Sequence, residues 1–290
     1  MGNSSYSVGD RTLRAEKLNY STKTAAEIFT QSSVGRAHDT MLPTNVSMRE
    51  CRDSDTHPLT VPIQLYLDVT GSMGSIPMHM IRHGLPKLMG NLIQGGVADA
   101  ALMFGAIGDH ECDRYPLQIG QFESGDAELD LWLTRTYLES GGGGNAGESY
   151  LLAWYFASNH VDTDAFSKRG QKGYLFTVGD EPCLSNLPMS ALKGIMGTTA
   201  MGQNTLTAAE LLEAAQRANH VYHIHMEHGN RRLSDSWKQL LGDHVLTITS
   251  PEQLSTVIID TVTRTLPSEI SSPAAALEST DKPSETQEML

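Results

Sequence analysis

The chain alternates between short apolar runs and longer segments in which apolar residues recur every three or four positions. The run from Val61 to Leu67 is almost wholly apolar, with Gln64 as its polar member, which is typical of a buried strand. The segment 76–94 that follows has helical spacing. The same patterns predict further strands over 98–108, 115–122, 174–178, 220–226 and 245–248, and further helices over 126–138, 148–159, 207–219, 233–241 and 251–265.

Strands that alternate with helices in this way predict an α/β fold, with a mostly parallel central sheet flanked by helices on both faces. Pro116 lies in the strand predicted over 115–122, and because proline cannot donate to a ladder, we expect that strand at an edge. The main domain is expected over 58–266. A Ser-, Thr-, Glu- and Pro-rich tail over 267–290 is predicted to be disordered.

The first 57 residues form a polar N-terminal extension, for which the sequence leaves two interpretations open. One is a weakly ordered leader. The other is an ordered segment, with a short helix around Thr24 to Thr30 and, over 45–55, either an edge strand or an extended arm laid on the main domain.

Composition narrows the function classes. The 290 residues are 39% hydrophobic and carry a net charge of −13, so we expect no nucleic-acid partner and no anionic membrane surface, both of which select for Lys and Arg. The sequence has no apolar run of membrane-spanning length and no signal-peptide core at its N-terminus. Three widely spaced cysteines suggest reduced thiols. These features together predict a cytoplasmic protein.

Three predicted strands are each followed by an aspartate, namely Asp68, Asp109 and Asp180. In open α/β sheets, ligands bind beyond the carboxyl ends of the strands. We therefore expect the three loops to converge on one site.

The first of these loops carries the pattern Asp68-x-Thr70-x-Ser72. One carboxylate and two hydroxyls at alternate positions can form an all-oxygen site, which suits Mg²⁺. The alternative is that these side chains cap the helix that follows, as Asp, Thr and Ser commonly do.

The pattern resembles the metal-ion-dependent adhesion site (MIDAS) of von Willebrand factor A (vWA) domains, and three further motifs follow it in the order typical of a bacterial, phage and alpha-kinase-linked branch. The four motifs span Asp68 to Met73, Gly108 to His110, Gly142 to Glu148 and Gly179 to Cys183. The resemblance covers about residues 58–265 and implies a Rossmann-like vWA fold.

The resemblance also implies a ligand set and a role. Asp68, Thr70 and Ser72 match the first-loop ligands, and Asp180 matches the acidic residue of the third loop. The second loop usually supplies a threonine, for which this chain offers Asn145, with Glu148 able to act through water. The implied ion is Mg²⁺ or Mn²⁺. It accepts an Asp or Glu carboxylate from a protein partner, and bacterial relatives serve as adaptors to ATPase or kinase systems.

A Mg²⁺-dependent hydrolase, for example a phosphatase with Asp68 as nucleophile, is the main alternative function. The common phosphatase pattern needs a second aspartate where this chain has Thr70. His110, beside Asp109, is the best candidate for a general base, although a solvated loop histidine is the simpler interpretation.

Two weaker sites are also considered. His223, His225 and His228 are imidazoles of the kind that zinc binds, but no fourth ligand is evident, and a strand with one polar face explains them as well. The glycines over 141–144 do not match a phosphate-binding P-loop, because no lysine follows them.

Overall fold

A six-stranded sheet forms the centre of the molecule in the computed structural model, which describes residues 4–139, 147–197, 204–227 and 232–266. In chain order the strands are β1 (Arg49–Cys51), β2 (Val61–Asp68), β3 (Ala100–Ile107), β4 (Leu117–Ile119), β5 (Val161–Thr163), β6 (Gly173–Gly179), β7 (Asn186–Pro188), β8 (Thr205–Thr207), β9 (Asn219–Met226) and β10 (Val245–Ile248).

Helices cover both faces of this sheet. They are α1 (Val8–Lys17), α2 (Ala25–Ile28), α3 (Thr30–Val34), α4 (Ser75–His79), α5 (Leu85–Gln94), α6 (Asp126–Thr134), α7 (Leu151–Asn159), α8 (Asp164–Arg169), α9 (Met189–Met196), α10 (Ala208–Gln216), α11 (Asp235–Leu241) and α12 (Leu254–Thr265). A π-helical turn, Met80–Gly84, joins α4 and α5 into one continuous helix.

The central sheet has the order β10-β9-β6-β2-β3-β4, in which every pair is parallel except β3 with β4. The predicted fold class, a mostly parallel sheet flanked by helices on both faces, is therefore confirmed. The strand that contains Leu117 lies at the edge, as its neighbour Pro116 predicted. Two short pairs, β1 with β5 and β7 with β8, lie outside the central sheet.

Strand β2 is buried along its whole length because it lies between β3 and β6. Its odd-numbered residues, such as Leu65, join one apolar core together with α5 and α12. Tyr66 joins the other core, with α7, α10 and α11. The polar Gln64 is compatible with burial because its amide donates to Asn219 Oδ1 at 3.0 Å and its carbonyl accepts from the Tyr66 hydroxyl at 3.1 Å.

The N-terminal extension is folded over residues 4–57. Arg11 in α1 is buried, pairs with Asp126 and Asp130 of α6, and donates to the Ile81 carbonyl in the π-helical turn. Phe29 joins the same core as β2. Over the described residues 4–57, this segment therefore packs on the main domain.

The arm differs from its prediction in two details. It contains a helix, α1, beyond the one predicted around Thr24 to Thr30, and its strand β1 pairs in parallel with β5 instead of with the central sheet. The boundary between residues 57 and 58 stays a prediction, and the predicted disordered tail lies outside the described residues.

Other predicted elements have bounds within about three residues of the predicted ones, apart from the helix predicted over 126–138. The helix predicted over 126–138 ends at Thr134, and the helix predicted over 148–159 begins only at Leu151. At the start of the second of these helices, Glu148 forms an isolated β-bridge with Cys183. The backbone is therefore still extended at Glu148, and the helix begins only after it.

None of the described helices is long and apolar enough to cross a membrane. All three cysteines lie in the described ranges, and none of them is in a disulfide. The cytoplasmic location stays a prediction.

Candidate metal site

The candidate site lies where β2 ends, between the ends of β3 and β6. Asp68, the last residue of β2, pairs with Ile107 of β3, and the preceding Leu67 pairs with Val178 of β6. Asp109 and Asp180 follow β3 and β6 within two residues, and all three aspartates are buried. The structure therefore brings the three strand-end carboxylates to one edge of the sheet, where the sequence predicted them.

Asp68 is held by three hydrogen bonds. Its Oδ1 accepts from the Thr70 backbone N–H at 2.9 Å and from the Thr70 hydroxyl at 2.6 Å. Its Oδ2 accepts from the Tyr150 hydroxyl at 3.0 Å. A carboxylate has about four lone-pair positions, so these donors leave Asp68 with about one, on Oδ2.

Thr70 is oriented by the same contact. Its hydroxyl proton points to Asp68, so the lone pairs of Oγ1 are directed away from that carboxylate. Thr70 lies at the N-cap of the short 3₁₀ turn Gly71–Met73, but its side chain makes no capping hydrogen bond there. The capping alternative therefore does not account for Thr70. The side chain of Ser72 lies outside what the structure describes.

Of the second loop, the structure describes Glu148, whereas the predicted ligand Asn145 lies outside the described residues. Glu148 is buried, and its Oε2 makes no hydrogen bond within the described ranges. The next residue, Ser149, donates its backbone N–H to the Gly108 carbonyl at 3.3 Å, which fastens this segment to the loop after β3.

The electrostatics of the site are those of crowded carboxylates. Burial, reinforced by Asp180, raises the pKa of Asp68 to about 6 against the opposing hydrogen bonds. Burial and the neighbouring carboxylates, Asp68 first among them, raise the pKa of Glu148 to about 9. Like charges in a desolvated site disfavour ionisation, and a bound divalent cation would offset that repulsion. The donor set thus fits a hard cation.

Tyr150 is the site contact that the sequence analysis missed, because the helix predicted over 148–159 does not show which of its side chains reaches Asp68. It is completely buried and packs edge-on against Trp237 and His223, with ring centroids 5.3 Å and 5.2 Å away. Its ring lies against Gly179, where a Cβ atom would come within 2.6 Å of the Tyr150 Cζ. The glycine before Asp180 was the available sequence signal, and alone it does not identify the tyrosine.

The acidic loop after β3 is ordered by its own hydrogen bonds. Asp109 Oδ1 accepts from the Glu111 backbone N–H at 3.0 Å, and the Asp109 N–H donates to Asp113 at 2.7 Å. His110 Nδ1 lies 2.7 Å from the hydroxyl of the fully buried Ser149. The predicted general base, His110, therefore has its Nδ1 in contact with the Ser149 hydroxyl.

Of the predicted zinc alternative, the structure describes His223 and His225. His223 is buried, its Nδ1 lies 2.9 Å from the Thr177 hydroxyl, and its ring stacks on Trp237 with centroids 3.6 Å apart. Burial, with a smaller contribution from His225, lowers the pKa of His223 well below its usual value, so it packs as a neutral ring. His228 lies outside the described residues.

Over residues 4–139, 147–197, 204–227 and 232–266, no group of three His, Cys, Asp or Glu side chains is arranged to hold a metal ion. An ion at the end of β2 would therefore need hydroxyl and water oxygens besides carboxylates. Mg²⁺ sites are typically built in this way, with one or two carboxylates and several waters.

No family model matches the chain, and no curated protein matches its sequence. Among solved structures, the pilus adhesin SpaC from Lactobacillus rhamnosus GG in its open conformation is 11% identical, with a TM-score of 0.46, and the match covers 74% of this chain and 31% of SpaC. This chain therefore spans about a third of the length of SpaC.

Two further solved structures are also similar in architecture to this chain. The vWF domain of the type V pili tip protein Mfa5 from Porphyromonas gingivalis is 13% identical over 71% of this chain and 95% of that one, with a TM-score of 0.44. Proximal thread matrix protein 1 from the mussel byssus, with a zinc-occupied MIDAS motif, is 12% identical over 74% and 48%, with a TM-score of 0.43. Each is a likeness of architecture at low sequence identity.

Proposed function

We propose that this chain is a vWA-like interaction module that binds one divalent cation, Mg²⁺ or Mn²⁺, at the end of β2. The ligands are Asp68, Thr70 and Ser72 from the first loop, Asn145 from the second and Asp180 from the third. The observation that carries the proposal is the hydrogen bonding of Asp68 and Thr70, which leaves oxygen lone pairs available beside a second buried carboxylate.

The bound ion would supply an open coordination position that accepts an oxygen ligand. Asp68 and Thr70 would present their oxygens to the ion itself in a fixed geometry, because each restrains the other. Such preorganisation favours a small ion with strict octahedral requirements.

The partner is a protein that presents an Asp or Glu carboxylate to the ion. The chain carries a net charge of −13, so an acidic partner residue is repelled wherever no cation offsets that charge. This repulsion favours a contact that depends on the metal. In this proposal the chain is an adaptor that serves an intracellular ATPase or kinase system. We infer a binding role and not catalysis. The alternative function is a Mg²⁺-dependent hydrolase that uses Asp68.

Acetate is a suitable probe for the open position, because it is a carboxylate without other partner contacts. We expect Mn²⁺ to bind the full chain more tightly when millimolar acetate is present, since each ligand favours binding of the other. Calorimetric titration of Mn²⁺ with and without acetate measures this, and chloride at equal ionic strength is the control.

The same titration separates the possible outcomes. An acetate effect that disappears in Asp68→Asn supports the proposal. Mn²⁺ binding that acetate leaves unchanged would contradict the open carboxylate position while leaving the metal site in place. Phosphatase activity that requires both Mg²⁺ and Asp68 would favour the hydrolase.

A further inference from the structure

The Tyr150 hydroxyl contacts the carboxylate that the metal site is built on, although the two residues are 82 positions apart in the chain. We propose that Tyr150 is a positioning residue which makes the site select Mg²⁺ and Mn²⁺ over Ca²⁺. This inference rests on the proposed metal site, and it assigns the ion selectivity of that site to a residue outside the four family motifs.

The first step is the restraint on Asp68. Thr70 occupies Oδ1 with two hydrogen bonds, at 2.9 Å and 2.6 Å, and Tyr150 occupies one side of Oδ2 at 3.0 Å. A bidentate carboxylate needs a lone pair on each oxygen. Asp68 can therefore offer an ion only one oxygen, and Tyr150 fixes the direction in which that oxygen points.

The second step is the rigidity of Tyr150 itself. Its side chain has no exposed surface, and its ring is enclosed by Trp237 and His223 on one side and by the backbone at Gly179 on another. The Glu181 N–H lies 3.4 Å from the hydroxyl oxygen and donates to it, so the hydroxyl proton is directed to Asp68. The hydroxyl thus has a single position and a single role.

The third step is the chemistry of the two kinds of ion. Mg²⁺ demands octahedral geometry at about 2.0–2.1 Å, whereas Ca²⁺ takes six to eight oxygens at about 2.3–2.6 Å in flexible shells that often include bidentate carboxylates. A fixed, monodentate Asp68 suits the octahedral shell of Mg²⁺, and it excludes the bidentate coordination that Ca²⁺ often uses. Loss of the Tyr150 restraint should therefore weaken Mn²⁺ or Mg²⁺ binding more than Ca²⁺ binding.

The test is the ratio of the Ca²⁺ and Mn²⁺ dissociation constants, measured by calorimetry on the full chain. Tyr150→Phe keeps the ring and removes the hydroxyl, and we expect the preference for Mn²⁺ to fall by about fivefold or more, in keeping with the loss of a hydrogen bond to a charged group. Tyr66→Phe is the matched control, since it also removes a buried hydroxyl, one that donates to Gln64 at 3.1 Å. Its ratio should equal that of the wild type.

Gly179→Ala is a second variant that disturbs the Tyr150 hydroxyl. Its added methyl group displaces the Tyr150 ring without removing any Tyr150 atom. It should lower the same ratio, and it keeps the proposal testable where Tyr150→Phe does not fold. An unchanged ratio in both variants would overturn the proposal and leave the metal site intact. An equal change in Tyr66→Phe would also overturn the proposal, because it would show that the loss of another buried hydroxyl changes the ratio as much. A wild-type chain that binds neither ion would overturn the metal site, and this proposal with it.

Discussion

At Gly179 the backbone of β6 passes directly against the Tyr150 ring. A Cβ atom there would lie 2.6 Å from Tyr150 Cζ and 2.8 Å from Cε1. Neither the buried ring nor the strand backbone can move aside freely, because Trp237 and His223 pack against the ring and β6 is hydrogen-bonded on both sides. The glycine is required for space and not for an unusual backbone conformation.

Gly179→Ala should therefore lower the free energy of unfolding by about 1–3 kcal/mol, the usual cost of overpacking a well-packed core. Urea unfolding followed by tryptophan fluorescence measures it. Gly194→Ala is the matched control: Gly194 lies within α9, and a Cβ there has nothing within 4 Å, so we expect a neutral or slightly stabilising change. Equal unfolding energies for the two variants would contradict the packing of Tyr150 against β6.

The same residues show how far the sequence predicts the site. Asp68 and Thr70 could be placed because their contact is local and because a strand-end aspartate has a known position in an α/β sheet. Tyr150 could not, because its contact with Asp68 depends on how α7 approaches the sheet and on the missing side chain at Gly179. The role of Asn145 stays a prediction.

Among the elements, the β1–β5 pair shows how the N-terminal arm is joined to the main domain. Asp164, at the start of α8, is buried and accepts from Arg52 at 3.0 Å, from the Asp53 backbone N–H at 2.9 Å and from Lys168 at 2.6 Å. Burial tends to raise the pKa of Asp164, but the bonds from Lys168, Asp53 and Arg52 outweigh it and lower the pKa to about 2.

A carboxyl whose pKa is depressed by folding stabilises the protein above its unfolded pKa of about 3.9, and that contribution is lost as the pH falls through the folded value. We expect Asp164→Asn to lower the free energy of unfolding by about 1–2 kcal/mol at pH 6. The difference from the wild type should shrink between about pH 4 and pH 2, in urea unfolding curves recorded across that range.

Asp162→Asn is the control for this pH dependence. Asp162 lies two residues earlier and also pairs with Arg52, at 2.6 Å, but 43% of its side chain is exposed. An exposed ion pair contributes little, so this variant should stay within about 0.5 kcal/mol of the wild type at every pH. A pH-independent effect of Asp164→Asn would show that its charge is not what joins the arm to β5.

The element scale also explains which parts of the fold the sequence predicts. The apolar runs of β2, β6 and β9 are long and buried, so each gave a clear signal. The π-helical turn Met80–Gly84 did not, because it is held from outside: the Ser255 hydroxyl donates to the Gly84 carbonyl at 2.9 Å, and Arg11 donates to that of Ile81. Such contacts from distant segments leave no periodicity in the local sequence.

At the scale of the whole molecule, the sheet order brings three loops with buried carboxylates to one edge of a chain whose net charge is −13. Strand order alone produces this arrangement, since β2 lies between β3 and β6 and all three strands run in the same direction. A divalent cation would relieve the repulsion among these groups and stabilise the folded chain by mass action.

Titration of Mn²⁺ into the full chain by calorimetry, on the wild type, Asp68→Asn and Asp99→Asn, tests the metal site most directly. Asp99 is the control, since it lies at the opposite end of the strands, just before β3 begins. Its carbonyl accepts from the Val61 N–H at 2.9 Å. We predict one saturable site in the wild type and in Asp99→Asn, and binding weakened by at least about tenfold in Asp68→Asn, which removes a charged ligand. Equal affinity in all three proteins, or no binding in any, would contradict a metal site at the end of β2.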